Sequence, residues 1–177
     1  MADLKDRMIR AAKLDPALYE EVEADKTALP QALLIVVISS VAAGIGVVGV
    51  AGIKSIFALT IISLIGWFIW AFITYYVGTR FLPVPETKAD YGELLRTIGF
   101  SNSPGILRIF NFIPYIGPLI AFAASIWTLV AMVIAVRQAL DYSSTGRAVG
   151  VCVIGWVIQI VFIMAFSKIF GISVLPG

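Results

Sequence analysis

Histidine is absent from this 177-residue chain, and cysteine occurs once, as Cys152. Without histidine there is no Ser-His dyad, no histidine-ligated haem or zinc, and no general base of ordinary pKa near neutrality. A single cysteine forms no disulfide within the chain and reports no redox compartment. Inside an apolar run it reads as a small buried hydrophobe. Charge is scarce as well: charged residues make up 14% of the chain, against about a quarter in a soluble domain. The net charge of +2 gives no footing for a nucleic-acid partner. The apolar runs hold no paired carboxylates, and no glycine-rich phosphate loop leads to a lysine. No catalytic residue, no metal ligand and no cofactor is therefore predicted, a bound lipid or pigment being left open, and the chain reads as a non-enzyme.

What the chain has in quantity is uninterrupted apolar sequence. Thr27 to Ile53 carries no charge, and Ser55 to Thr79 follows after Lys54 alone. A helix of about 20 apolar residues crosses a bilayer core of about 30 Å. The fold expected is all-α, a polytopic transmembrane bundle of about five spans. Residues 1–29 form a polar head, and 30–177 form a membrane domain with spans near 30–52, 56–77, 94–113, 119–136 and 148–167.

The head does not read as a cleaved signal, because mixed-charge residues precede a run long enough to stay in the membrane. Leu4, Met8, Ala11 and Ala12 fall near one helical face, opposite Asp6, Arg10 and Lys13, as in a short interfacial helix. Asp15-Pro16 reads as a helix start. Glu20, Glu21, Glu23 and Asp25 then read as a solvated face, or as a dock for basic partners or the chain's own basic loops. In the first span Ser40, Ala42, Gly44, Gly46, Gly49 and Gly52 are small residues that allow close helix packing. The second span crowds aromatics into its second half: Tyr75 and Tyr76 sit near the boundary, whereas Trp67 and Trp70 lie deeper, facing lipid, a helix or an apolar cofactor. Asp90 and Glu93 form a candidate capping box.

The segment 94–113 is the ambiguous one. It contains Ser101-Asn102-Ser103-Pro104-Gly105, then Arg108 and Asn111. Such a break at membrane depth is tolerated only when packed on protein or facing a cavity. Arg108 is placed near the far end of the segment, where it can snorkel. Lysine and arginine positions give orientation. With five spans, Lys5, Arg7, Arg10, Lys13, Lys26, Arg80, Lys88, Arg96, Arg137 and Arg147 share the side of the N-terminus, leaving Lys54, Arg108 and Lys168 opposite. That places the N-terminus in the cytoplasm. The count does not fix span number, because a non-crossing third segment gives the same tally.

Tyr91, Gly99-Phe100-Ser101, Pro104-Gly105, Ile113-Pro114 with Gly117, Trp127, Val136-Arg137-Gln138-Ala139 and Ala148 together resemble the Yip family domain. That family comprises the Ypt/Rab-interacting membrane proteins and their bacterial relatives. Arg10-Ala11-Ala12-Lys13 and Leu18-Tyr19-Glu20-Glu21-Val22-Glu23 are similar to the bacterial branch. The resemblance implies five membrane helices, a cytosolic N-terminus and a C-terminus across the membrane. Eukaryotic members act in vesicle traffic and bind Rab-type GTPases. Here the head is short and the family's aspartate-leucine-tyrosine-glycine-proline motif is missing, so Rab binding does not carry over and a bacterial cytoplasmic membrane is implied.

Three function classes remain. The first is a non-enzymatic adaptor or organiser acting through contacts with membrane lipids and other integral membrane proteins, including copies of itself. The second is an accessory subunit of a large respiratory or photosynthetic complex. The third is a small transporter or channel, favoured only by the proline-broken segment and opposed by the lack of an acidic residue at depth. Tyr91, Pro104, Arg108, Arg137 and Gln138 are the candidate partner or lipid contacts. The plainer reading of Arg108 and Arg137 is that they anchor helix ends, and of Pro104 that it shapes its helix.

Overall fold

The computed structural model describes residues 3–85 and 87–170, with side chains described as far as 161. The apolar tail 171–177 and the side chain of Lys168 lie outside the described residues. Among those residues every regular element is helical: α1 (Leu4–Ala12), α2 (Pro16–Ala24), α3 (Leu29–Gly46), α4 (Val48–Ala51), α5 (Lys54–Tyr76), α6 (Tyr91–Ser101), α7 (Ile116–Ala139) and α8 (Thr145–Phe170). A 3-10 turn at Lys26–Ala28, a π turn at Val77–Phe81 and a 3-10 segment at Ser103–Phe112 complete the set.

Local chemistry starts several of these helices. Asp3 accepts from the Lys5 N–H, and Asp15 accepts from Ala17 with Pro16 at the first helical position. Asp90 and Glu93 form a reciprocal capping box at the start of α6.

Three helices are long and apolar enough to cross a membrane: Lys26–Gly46, Lys54–Phe81 and Ile116–Ala139. The segment expected at 94–113 is two pieces, α6 and the 3-10 segment, separated at Asn102. At 1.5 and 2.0 Å per residue they extend about 36 Å together, about the length of α7. The break has a local cause. Pro104 has no N–H to offer the carbonyl four residues back, that of Phe100, and the Ser103 hydroxyl donates to it instead at 2.7 Å.

The chain passes through the bundle five times. α3 leaves the head end, α5 returns, α6 with the 3-10 segment goes out, α7 returns and α8 goes out again. α3 packs on α5, α6 and the 3-10 segment, and α7 packs on the last two. α8 is peripheral, resting mainly on α7, α5 and the π turn. The head end is tied together by Gln138 to Glu20 at 2.7 Å and Thr87 to the Leu140 carbonyl at 2.9 Å. The far end has two turns, 47–53 and 113–115. In the second, Tyr115 has a φ of +66° and stands almost fully exposed.

Large apolar residues face outward along α5 (Phe57, Ile61, Ile65, Phe72), α7 (Leu119, Phe122, Ile126, Val130) and α8 (Val153, Val157, Ile160). On α7 this row stops at Val130, because α1 and α2 cover the rest of the helix. Trp127 marks the stop, its indole N–H donating to the Ala12 carbonyl at 2.8 Å, a boundary position typical of tryptophan.

Close packing accounts for only part of the small-residue run. Ser40, Ala42, Gly44 and Gly46 are buried. A Cβ on Gly44 would lie 2.6 Å from the Ile56 Cα, and one on Gly46 would collide with the Arg108 carbonyl oxygen. Gly49 and Gly52 correct the expectation: α3 ends at Gly46, and these two glycines sit in the exposed turn beyond it with nothing within 4 Å. Gly52 is there for its φ of +73°, which reverses the chain into α5. The acids of the head are not simply a solvated face either. Glu21 and Asp25 pair with Arg7, and Asp15 and Glu21 with Arg10.

Candidate functional site

Between the helices of the bundle lies a partly open cavity of about 300 Å³. α3 contributes Val36, Ser39 and Ser40, and α5 contributes Ser63, Trp67 and Trp70. Ile98, Asn102 and Arg108 come from the broken segment, Thr128 and Met132 from α7, and Trp156 and Gln159 from α8. Among the described residues the lining holds one cationic group and no carboxylate. Burying such a mixture requires each polar group to find a partner.

Most do so through backbone carbonyls. Ser39 donates to Asn102 at 2.7 Å, Ser40 to Val37 at 2.9 Å and Thr128 to Ala124 at 2.8 Å. The Trp67 indole donates to the Leu95 carbonyl at 3.1 Å. The first of these bonds joins α3 to the carbonyl at the helix break, so Ser39 helps hold the broken segment against the first helix.

Two donors are left over. The Trp70 indole N–H and the Arg108 Nε are buried and have no hydrogen-bond partner. Trp70 is 7% exposed, with Trp156 beside it at 6.3 Å between ring centroids. Gly155 lets α8 approach that indole, since a Cβ there would already touch the Trp70 ring at 3.2 Å. A buried N–H without an acceptor costs about 1–3 kcal/mol. An arginine at bilayer depth costs about 2.5–3.5 kcal/mol on insertion scales. Among the described residues the cavity thus holds two buried donors without a partner, one of them cationic, beside the amides of Asn102 and Gln159.

The five candidate contact residues are not brought together. Arg108 lines this cavity. Pro104 is buried at the start of the 3-10 segment and shapes its break. Tyr91 opens α6, its hydroxyl donating to the Phe68 carbonyl at 2.9 Å and its ring edge-on to Phe72. Arg137 folds back on its own turn, donating to the Tyr142 carbonyl at 3.1 Å and reaching Thr145 and Ser143 at 3.4 Å. Gln138 holds Glu20. Arg137 and Gln138 share the rim of a second pocket of about 680 Å³ with Glu20, Glu23, Glu93 and Asp141.

Two arginines that sequence reasoning used only for orientation turn out to organise the head. Arg7 is 4% exposed and holds Glu21, Asp25 and Gln31 at 2.8–2.9 Å, tying α1 to α2 and to the start of α3. Hydrogen bonds from Thr27 and then from Arg7 bring the Asp25 carboxyl down to about 2. Hydrogen bonding by Arg10 lowers Glu21 and Asp15. Arg96, 5% exposed, reaches from α6 to the carbonyls of Val22, at 2.9 Å, and Glu23. These carbonyls belong to the last turn of α2, where intrahelical donors run out and a cation suits the helix dipole. Glu23 itself is pushed up to about 7, by burial first and then by the charges of Glu93, Asp141 and Glu20. No local pattern announces the contacts of Arg7 and Arg96, whose members are separated by 14 to 74 residues.

The family model of the Yip1 domain matches residues 14–166. No curated protein and no solved structure matches the chain.

Proposed function

The chain belongs to the Yip1 domain family, and from that premise we propose that it is a non-enzymatic integral membrane protein acting through contacts with lipids and with other membrane proteins. The observation that carries this reading is the outer surface of α5, α7 and α8. Phe57, Ile62, Leu119, Phe122 and Val161 stand more than half exposed there, a surface that only lipid or another apolar span covers favourably. The five passes of the chain support five crossings. The polar head, with its arginine-bound carboxylates, supports placement at a membrane surface. The lysine and arginine tally favours a cytoplasmic head, in a bacterial cytoplasmic membrane.

Purification of the tagged chain from its native membrane in mild detergent, followed by mass spectrometry of protein and lipid, tests the proposal. Stoichiometric recovery of membrane proteins or of a defined lipid class is expected. Recovery of the chain free of both contradicts it. A stable set of respiratory or photosynthetic subunits would make it an accessory subunit of that complex. Transport has one observation in its favour, the helix broken beside a polar cavity. With no carboxylate in the lining, coupling to a proton or metal cation has no group to carry it.

A further inference from the structure

We infer that the central cavity is a binding site for an anionic oxygen headgroup, the phosphate of a membrane phospholipid, held between Arg108 and the Trp70 indole. This deepens the lipid-contact reading above and rests on it. Three independent features converge on the same space. First, among the described residues its one charged group is cationic, and no acid lines the cavity to neutralise it. The Arg108 side chain makes no hydrogen bond or ion pair among the described residues, although those of Arg7, Arg10, Arg96 and Arg137 all do; those of Arg80 and Arg147 also make none, but they are exposed, whereas the Arg108 Nε is buried. Second, Trp70 is more than nine-tenths buried and its N–H has no acceptor, while Trp67, one turn away, spends its own on Leu95. Third, the nearby hydroxyls of Ser39, Ser40 and Thr128 already give their protons to the backbone. The buried donors left without an acceptor are thus an indole and a guanidinium, in a lining that also offers the Ser63 hydroxyl and the Gln159 amide.

A guanidinium and a phosphate match in charge and in planar, two-point geometry, and such bonds are about twice as strong as neutral ones. The ligand would remove the two unpaired groups at once. Val36, Met132 and the Trp156 ring give an apolar stretch of wall for an amphiphile's first acyl carbons, and Ser63, Asn102 and Gln159 a polar one for its glycerol. A volume of about 300 Å³ holds a headgroup and not two acyl chains, which must leave between helices. α8 is peripheral on this side, and the outer surface of its described residues is apolar.

The test uses the full-length chain in neutral detergent, with native mass spectrometry and tryptophan fluorescence as readouts. Dioleoyl phosphatidylglycerol, dioleoylglycerol and inorganic phosphate are titrated separately. Expected are saturable binding of phosphatidylglycerol, at least tenfold weaker binding in Arg108→Gln, and no Arg108-dependent uptake of dioleoylglycerol. Saturation by inorganic phosphate without phosphatidylglycerol binding, again lost in Arg108→Gln, would keep the anion site and overturn the lipid source. Equal uptake of dioleoylglycerol and phosphatidylglycerol, or binding unchanged in Arg108→Gln, overturns the site. Should Arg108→Gln fail to fold, Trp70→Phe keeps the ring and removes only the N–H. A severalfold loss of affinity is then expected, and unchanged affinity overturns the proposal. Because purified protein is used, a negative result leaves the recovery of partners from native membranes standing as its own test.

Discussion

Replacing Arg96 with methionine removes a guanidinium and keeps most of the buried stem. In the wild-type chain that guanidinium caps the Val22 and Glu23 carbonyls from a position 5% exposed. Hydrogen bonds to charged groups contribute about 1.5–3 kcal/mol each, and a buried carbonyl left bare costs about 1–3 kcal/mol. The two losses overlap, and water reaching the head recovers some of the second. We expect a loss of about 3 kcal/mol, concentrated where α2 meets α6. The bundle below it has its own contacts, so the loss appears as local opening of the head. Hydrogen exchange of the detergent-solubilised chain should quicken in residues 16–28 by about two orders of magnitude, by the same energy, with α5 and α7 unchanged. Exchange in 16–28 equal to wild type would refute the capping argument. Equal acceleration throughout would show that the head is not a separate unit.

Other outcomes follow from the same geometry. Ser39→Ala removes the bond to the Asn102 carbonyl, which keeps the Gly105 N–H at 2.9 Å; thermal unfolding should show a loss of only about 0.5–1.5 kcal/mol. Gly46→Ala places a methyl against the Arg108 carbonyl, an overpacking that costs about 1–3 kcal/mol; expression and melting temperature should both fall, whereas Gly49→Ala, with open space around it, should leave them unchanged. Glu23 is held at about 7 in the folded chain, above its ordinary 4.5. The folded state therefore binds its proton more tightly, and stability falls as pH rises from about 4.5 to about 7; Glu23→Gln should be more stable than wild type at pH 8 and equal to it at pH 4.

How much of this was legible in the sequence depended on how local the signal was. Asp15-Pro16 and the Asp90–Glu93 box act within one turn, and both helix starts are where the chain puts them. The long uncharged runs marked three of the long helices, since a gap in charge is itself a local property. The end of the first helix was missed by several residues. Gly44 and Gly46 are small because another backbone lies against them, whereas Gly49 and Gly52 are small because the chain turns there; composition does not separate the two causes. Pro104 announced a break, but not that Ser39, 63 residues away, would reach the carbonyl beside it. Arg108 was picked out as a charge in an apolar segment. For Trp70 the sequence does not separate lipid, helix and cofactor, because indole burial depends on which turn of α5 meets α6 and α8. Arg7 and Arg96 looked like ordinary cytoplasmic charges, because their partners are distant in sequence.

The lipid-facing surface, the head at one end and the depth of the cavity all stand on five crossings by α3, α5, the α6 pair, α7 and α8. Single cysteines in a Cys152→Ser background, labelled by an impermeant maleimide in sealed vesicles of known orientation, test this directly. Lys88→Cys and Ser143→Cys should label from the cytoplasmic side alone, and Tyr115→Cys, in the exposed turn before α7, from the opposite side alone. Labelling of Tyr115→Cys from the same side as Lys88→Cys would mean that the α6 pair re-enters without crossing, and would contradict the account.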